Sequence, residues 1–223
     1  MMRSIGISAT LVAALGLACS ASAGTWTEVG DAGHNGIAEA QLTDGSGPLD
    51  AIVGVIDGVY PDNCDIDLFG IEIVDSDAFY ASLLIPDGGS HDFDDTVMWL
   101  FDADGYGAVR NDDWGHNDDY YASRIDAVGV PAPGVYYLGV AAYYSYAKDA
   151  SNGLLFTGSG WFPGGHFQEM PDPDAGPLDH WTEHGYDEGG YTVVLNGAAF
   201  LVPEPGTAIL LAMGGLMMLR RRR

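Results

Sequence analysis

Residues 24–202 contain no stretch that keeps helical periodicity for more than a turn or two. Short apolar runs recur instead between clusters of Gly, Pro, Asp and Asn. A run too short to bury a helical face, and bounded by residues that turn the chain, packs as a strand. We read strands at 51–56, 66–74, 79–85, 96–101, 107–110, 135–143 and 191–200, with 25–29 as a further edge strand and 36–41 as one short helix. Within 67–73, Phe69, Ile71 and Ile73 alternate with Leu68, Gly70 and Glu72, and that period of two sends the first three to the core. Residues 96–101 are apolar on both faces, Val97, Trp99 and Phe101 opposite Met98 and Leu100, which marks a central strand rather than an edge. The expectation is an all-β fold: one jelly-roll-like antiparallel β-sandwich over 24–202. Its one interruption is a long irregular loop tract at 145–190, rich in Gly, Pro, His and Asp, with Trp161, Phe162, Phe167 and Trp181 scattered through it.

The two ends read as addresses. Residues 1–23 pass from the basic Arg3 through an apolar stretch at 5–18 to small residues at Ala21 and Ala23, the pattern of a secretory signal helix cut before Gly24. A retained anchor would need about 20 apolar residues, and Gly16 stands where the lipid-attachment motif suggested by Cys19 has Leu. At the other end Pro203-Glu204-Pro205 precedes the apolar stretch 207–219 and then Arg220, Arg221, Arg222 and Arg223. As a helix those 13 residues cover about 20 Å, a short transmembrane span whose arginines snorkel to the cytoplasmic side, leaving everything before Pro203 outside. Once Cys19 has left with the signal, Cys64 is a lone thiol, either buried or open to a partner.

Pro203-Glu204-Pro205, a short hydrophobic helix and a terminal Arg cluster, in that order, resemble the PEP-CTERM sorting domain of bacteria that make extracellular polymeric matrix; an ordinary tail anchor is the alternative. The resemblance implies export by the secretion machinery and signal peptidase, then transient anchoring in the inner membrane. It further implies cleavage near the Pro-Glu-Pro motif by a membrane protease, an exosortase, and delivery to the cell surface or extracellular matrix.

Charge narrows the partners. The chain has 8 basic and 32 acidic residues, a formal net charge of −24. Without Arg3, Glu204 and the four terminal arginines, 3 basic residues (Arg110, Arg124, Lys148) face 31 acids, a net of −28. Nucleic acid and anionic membranes need clustered Lys and Arg and are excluded as charge-driven partners. Cations are attracted.

A second resemblance runs through the interior. Gly30-Asp31-Ala32-Gly33, Ala38-Glu39-Ala40-Gln41, Ile52-Val53-Gly54 and Asp65-Ile66-Asp67-Leu68-Phe69 open a pattern. It continues through Trp99-Leu100-Phe101-Asp102, Gly107, Asn111-Asp112-Asp113 and Pro133-Gly134-Val135-Tyr136-Tyr137-Leu138-Gly139-Val140, with Gly189-Gly190-Tyr191-Thr192-Val193 as a last strand. This order resembles the bacterial pre-peptidase C-terminal domain family. It implies an eight-stranded jelly-roll-like sandwich that accompanies secreted hydrolases or surface proteins, includes calcium-binding members and is not itself an enzyme. The tract 145–190 departs from the family's compact pattern.

Acid clusters are the first candidate chemistry: Asp62, Asp65 and Asp67; Asp92, Asp94 and Asp95; Asp102 and Asp104; Asp112 and Asp113; Asp118 and Asp119. Calcium takes six to eight oxygens from such loops. The candidate set is Asp92, Asp94, Asp102, Asp104, Asn111, Asp112 and Asp113, with a solvated acidic face as the alternative. As an EF-hand loop the segment fails at Tyr106, so 102–107 reads as a hairpin turn. His180, Glu183 and His184 match a zinc-hydrolase spacing that requires a helix to bring both imidazoles to one face, amid turn-forming residues. The aromatics Trp161, Phe162 and Trp181, with Trp114, either cap the sandwich or form a platform for a matrix polysaccharide. No nucleophile elbow, phosphate loop or dinucleotide fingerprint is present, and no catalytic residue is singled out. The leading expectation is an exported non-enzymatic surface or matrix protein with calcium as its stabilising ion. A calcium-dependent polysaccharide-binding module comes second, and a zinc hydrolase is the remote third.

Overall fold

A computed structural model describes residues 24–33, 36–57, 65–84, 95–112, 122–161, 167–182 and 188–203. Along the chain the strands are β1 (Gly24–Thr27), β2 (Gln41–Leu42), β3 (Asp44–Gly45), β4 (Leu49–Ile56), β5 (Ile66–Ile73), β6 (Tyr80–Leu84), β7 (Thr96–Asp102), β8 (Gly107–Asn111) and β9 (Arg124–Asp126). They continue with β10 (Gly134–Ala142), β11 (Tyr146–Lys148), β12 (Phe156–Trp161), β13 (Phe167–Pro171), β14 (His180–Thr182), β15 (Gly189–Asn196), β16 (Ala198–Phe200) and β17 (Val202–Pro203). The short helix expected at 36–41 is a single 3-10 turn, Ile37–Glu39. Among the described residues no helix is long and apolar enough to cross a membrane; the signal segment and 207–219 lie outside them.

The fold is all-β, with two sheets packed together. One runs β1-β4-β15-β6-β9. The other runs β12-β13-β8-β7-β10-β5-β16, with β2 also on β5. Both sheets are mixed rather than antiparallel throughout, because β1 pairs parallel with β4 and β2 parallel with β5. A parallel pair needs a connection that carries the chain back to its starting end. The segment between β1 and β4 does so, setting Gly24 beside Leu49.

The alternation in β5 works as its sequence implies. Phe69, Ile71 and Ile73 enter the core between the sheets with Ile52, Leu138 and Val193, all fully buried. Burying a side chain of this size stabilises the fold by about 1.5–3 kcal/mol. The expected strand 191–200 is in fact two. Gly197, at φ +73°, lets the chain leave β15 in one sheet and enter β16 in the other, and a Cβ there would lie 2.5 Å from the Asp75 carbonyl oxygen.

The tract 145–190 is not irregular: β11 to β14 lie within it. β12 and β13 extend the larger sheet beyond β8, while β11 pairs with β14 as a separate ribbon. Side chains of these strands and their connections make a second core on the outer face of that sheet, where Ala147, Leu155, Phe156, Leu178 and Trp181 cover Ile66, Leu68, Val97, Trp99 and Phe101. Trp181 packs edge-on to Trp99, with ring centroids 4.7 Å apart, and to Phe101 at 5.9 Å. The ends of the described chain also meet. The Phe200 ring lies so close over Gly24 and Gly45 that a Cβ on either would fall within 2.3 and 2.6 Å of it, and β17 pairs with β3 alongside.

Candidate metal site

Asp67 is the second residue of β5 and shares the inward face of Phe69, so it sits fully buried between the sheets. Tyr191 of β15 reaches across from the opposite sheet, and its hydroxyl donates a short hydrogen bond to Asp67 Oδ2. Asp67 Oδ1 is buried and has no hydrogen-bond partner among the described residues. Asp65, 8 % exposed, stands one turn of the pleat away, and its Oδ2 accepts the Asp57 amide at 2.8 Å. Asp31 comes from the exposed loop after β1, where its Oδ1 accepts the Gly33 amide at 3.0 Å. One oxygen from each of Asp31, Asp65 and Asp67 lies within 4.8 Å of the others.

Glu28 fastens the loop beside them. Its two carboxylate oxygens accept the Ala32 amide at 3.0 Å and the Val55 amide at 2.9 Å, tying residues 28–32 to β4. Gly54 of β4 makes room for this arrangement, since a Cβ there would lie 2.3 Å from the Tyr191 hydroxyl and 3.0 Å from Glu28 Oε2.

Four acids thus meet at one end of the intersheet core, and the three interior basic residues are engaged elsewhere. Arg110 holds Asp112 and Glu169, Arg124 holds Asp126, and Lys148 donates to the Asn152 carbonyl. Burial pushes the Asp67 carboxyl up to about 9; the Tyr191 hydrogen bond opposes the rise, and the charges of Asp65, Glu28 and Asp31 add to it. Burial raises Glu28 as well, and burial followed by the Asp67 charge drives the Tyr191 phenol well above its ordinary value. Such a group is neutralised either by protons or by a cation. The donors are all oxygen, the choice of calcium and magnesium. Two ligands on calcium, with bonds of 2.3–2.6 Å, stand up to about 5 Å apart, whereas the shorter bonds of magnesium bring them within about 4.2 Å. Oxygens within 4.8 Å of one another are close enough for one such ion to bridge.

The members of the calcium set expected from sequence that lie among the described residues, Asp102, Asp104, Asn111 and Asp112, are engaged separately. Asp102 Oδ1 accepts the amides of Asp104 and Tyr106 at 3.0 and 2.9 Å, so it closes the expected hairpin turn, with Asp104 exposed upon it. Asn111 is buried and its Oδ1 accepts the Arg124 amide, while Asp112 pairs with Arg110 at 3.0 Å. Asp92, Asp94 and Asp113 lie outside the described residues. So do Cys64, Trp114, Phe162 and the side chain of Trp161.

His180 stands on a strand, not on the helix that the zinc spacing requires. Its ring nitrogens face Asp179 at 3.0 Å and Asn152 at 3.3 Å. Glu183 and His184 lie outside the described residues. Trp181, 7 % exposed, packs into the second core, as the capping alternative has it. Of the sorting motif, Pro203 ends β17, and Glu204, Pro205 and Arg220–Arg223 lie outside the described residues. Asp31, Glu28 and Tyr191 were not among the sequence candidates, although Asp65 and Asp67 stood in an acid cluster. The available signal was Asp67 itself, an acid at an inward position of an alternating strand. No family model matches the chain, and no curated protein matches it.

Proposed function

We propose that this chain is an exported, non-enzymatic protein of the cell surface or extracellular matrix whose sandwich is locked by calcium bound at Asp31, Asp65 and Asp67. The observation that carries the reading is the convergence of three carboxylates on one spot, with a buried Asp67 oxygen left without a partner among the described residues. A buried acceptor without a partner costs free energy that a cation recovers. Bound there, the ion would join β5 to the loop after β1, and it would act on stability rather than on a substrate.

Export and sorting rest on the terminal segments. The resemblance to a PEP-CTERM signal supports processing by an exosortase, and the likeness of the interior to pre-peptidase C-terminal domains supports a jelly-roll-like accessory module. Two packed sheets and the calcium-sized cluster are consistent with that module.

Two measurements test the reading. Isothermal titration with calcium should give one site that Asp65→Asn and Asp67→Asn each remove; absence of heat in the folded wild type sinks the calcium claim. Mass spectrometry of surface material should find chains that begin at Gly24 and lack Arg220–Arg223. Intact arginines there would overturn the sorting claim.

A further inference from the structure

We propose that Asn152–Gly153 is a latent site of self-modification, a deamidation step that the Asp149 carboxylate holds shut and that proceeds when the ribbon of β11 and β14 opens. It goes beyond the calcium reading and shares no residue with that site. The chain has three Asn–Gly steps, at 35–36, 152–153 and 196–197. Glycine hinders the reaction least of all following residues, because it has no Cβ. Asn35 lies outside the described residues, and Asn196 ends β15 in the five-stranded sheet. Asn152 is exposed in the turn that follows β11, at φ +64°, a left-handed conformation that asparagine tolerates.

In deamidation the Gly153 nitrogen attacks Asn152 Cγ: a C–N bond forms, and Nδ2 leaves as ammonia with the proton lost from the Gly153 N–H. Water then opens the cyclic imide at either carbonyl, giving aspartate or isoaspartate. The attacking nitrogen must first shed its proton. In the folded turn that N–H is donated to Asp149 Oδ1 at 2.8 Å. The same oxygen accepts the Ser151 amide and hydroxyl at 2.9 and 2.7 Å, and Oδ2 accepts the Gly176 amide at 3.0 Å. These bonds fix the carboxylate and hold it well below the usual range, so it stays ionised and is a poor base. Negative charge developing on the Gly153 nitrogen beside it is repelled at close range. Backbone bonds close the turn as well, from the Asn152 N–H to the Asp149 carbonyl at 2.9 Å and from the Asp149 N–H to the Gly153 carbonyl at 3.0 Å. The Asn152 side chain meets the other strand of the ribbon, its Oδ1 facing His180 Nε2 of β14 at 3.3 Å. Nucleophile and electrophile are thus both tied, and local opening of the ribbon frees them together. The product cannot re-form the same turn. Isoaspartate puts Cβ into the main chain, and either acid sets a new charge beside Asp149. A transient opening of the layer over Trp99 is made permanent in this way.

The experiment is incubation of the purified full chain in warm, mildly alkaline buffer, folded and in urea. Peptide mapping by mass spectrometry follows the amide-to-acid mass gain and isoaspartate at each Asn–Gly step. In urea all three steps should convert at similar rates. In the folded wild type Asn152 should convert at least about tenfold more slowly than in urea, and the Gly153 amide should exchange its hydrogen slowly. Asp149→Asn keeps the shape of the side chain and deletes its charge. In that variant, with folding checked by melting curves, Asn152 should convert at least about tenfold faster than in folded wild type, the loss of one charged hydrogen bond, while Asn196 keeps its rate. Ser151→Ala removes a bond to the same oxygen but leaves the charge beside Gly153, so it should accelerate Asn152 less. Four results would overturn the proposal: Asn152 converting as fast in the folded wild type as in urea; a Gly153 amide that exchanges as fast as in an unstructured peptide; a folded Asp149→Asn that converts Asn152 at the wild-type rate or speeds Asn196 equally; or Ser151→Ala matching Asp149→Asn. If Asp149→Asn does not fold, the wild-type rate and the Gly153 exchange decide alone.

Discussion

Removing calcium should make this protein fail from the alkaline side. Three ionised carboxylates whose oxygens lie within 4.8 Å of one another repel by at least about 3.5 kcal/mol per pair at an effective dielectric constant of about 20. The three pairs together come to about 10 kcal/mol, as much as the whole stability of a typical domain. The metal-free protein therefore keeps a proton on Asp67, consistent with a carboxyl pushed up to about 9. Between the ordinary value of 3.8 and that folded value, the native state binds one proton more than the unfolded chain. The stabilisation from this proton is full below 3.8, falls by about 1.4 kcal/mol per pH unit across the window, and is gone above about 9. From pH 6 to pH 8 the loss is about 3 kcal/mol, or about 6–12 °C in Tm for a domain of this size. Calcium bound at the proposed site would replace the proton and reverse the trend. At a Kd of about 10⁻⁴ M, usual for extracellular modules, about 5 mM calcium restores about 2.3 kcal/mol at pH 8. The assay is thermal melting at pH 6, 7 and 8 in chelator and in calcium, for wild type and for Asp67→Asn. The variant carries the same histidines, so the difference between the two isolates Asp67. If wild type in chelator does not lose stability relative to Asp67→Asn as pH rises, or if calcium raises both equally, the electrostatic account is wrong.

Gly54→Ala should press a methyl group against the Tyr191 hydroxyl and Glu28, costing about 1–3 kcal/mol in denaturant melts and weakening calcium binding by calorimetry. Trp181→Ala should cost about 3–5 kcal/mol and expose Trp99 and Phe101, visible as a red shift in tryptophan emission; an unchanged Tm would show that Trp181 caps nothing. Asp149 accepts the Gly176, Ser151 and Gly153 amides at 3.0, 2.9 and 2.8 Å and the Ser151 hydroxyl at 2.7 Å, which hold its carboxyl far below the usual range. Its folded value is lowered, so its contribution is present above the ordinary carboxylate value and lost as pH falls through the folded one. Asp149→Ala should lower Tm at pH 7, and the difference from wild type should shrink in strong acid.

What could be read from the sequence were features with a local period. Phe69, Ile71 and Ile73 announced the core face of β5, and the turn at Asp102 followed from Asp-rich, Gly-containing spacing next to an apolar strand. Residues 96–101, apolar on both faces, marked a central strand, and β7 lies between β8 and β10. The covering layer itself was not legible. β11 and β14 are three residues each, too short for alternation to register, and they are held by contact with Trp99 and Phe101 rather than by their own pattern. The acid cluster fell between these cases. Asp65 and Asp67 are neighbours in sequence, but Asp31 joins them from a loop 34 positions earlier, brought in by β1 lying parallel to β4. Parallel edge pairing leaves no signature in the residues that make it. The acids downstream of β7 had the composition of a site, yet turn closure and the Arg110 pair absorb those that are described.

The meeting of Phe200 with Gly24 and Gly45 has a consequence for orientation. The first and last strands of the sandwich leave from one pole, so attachment through either end would set the same pole toward the supporting surface. The opposite pole would then project outward whichever terminus bears the load. The last strand closes beside the first, so the fold is complete only when residue 200 has arrived. A protein threaded through a membrane in chain order would therefore finish folding only once nearly all of the domain has emerged, and a cut that released the tail after Pro203 would spare both strands at that seam.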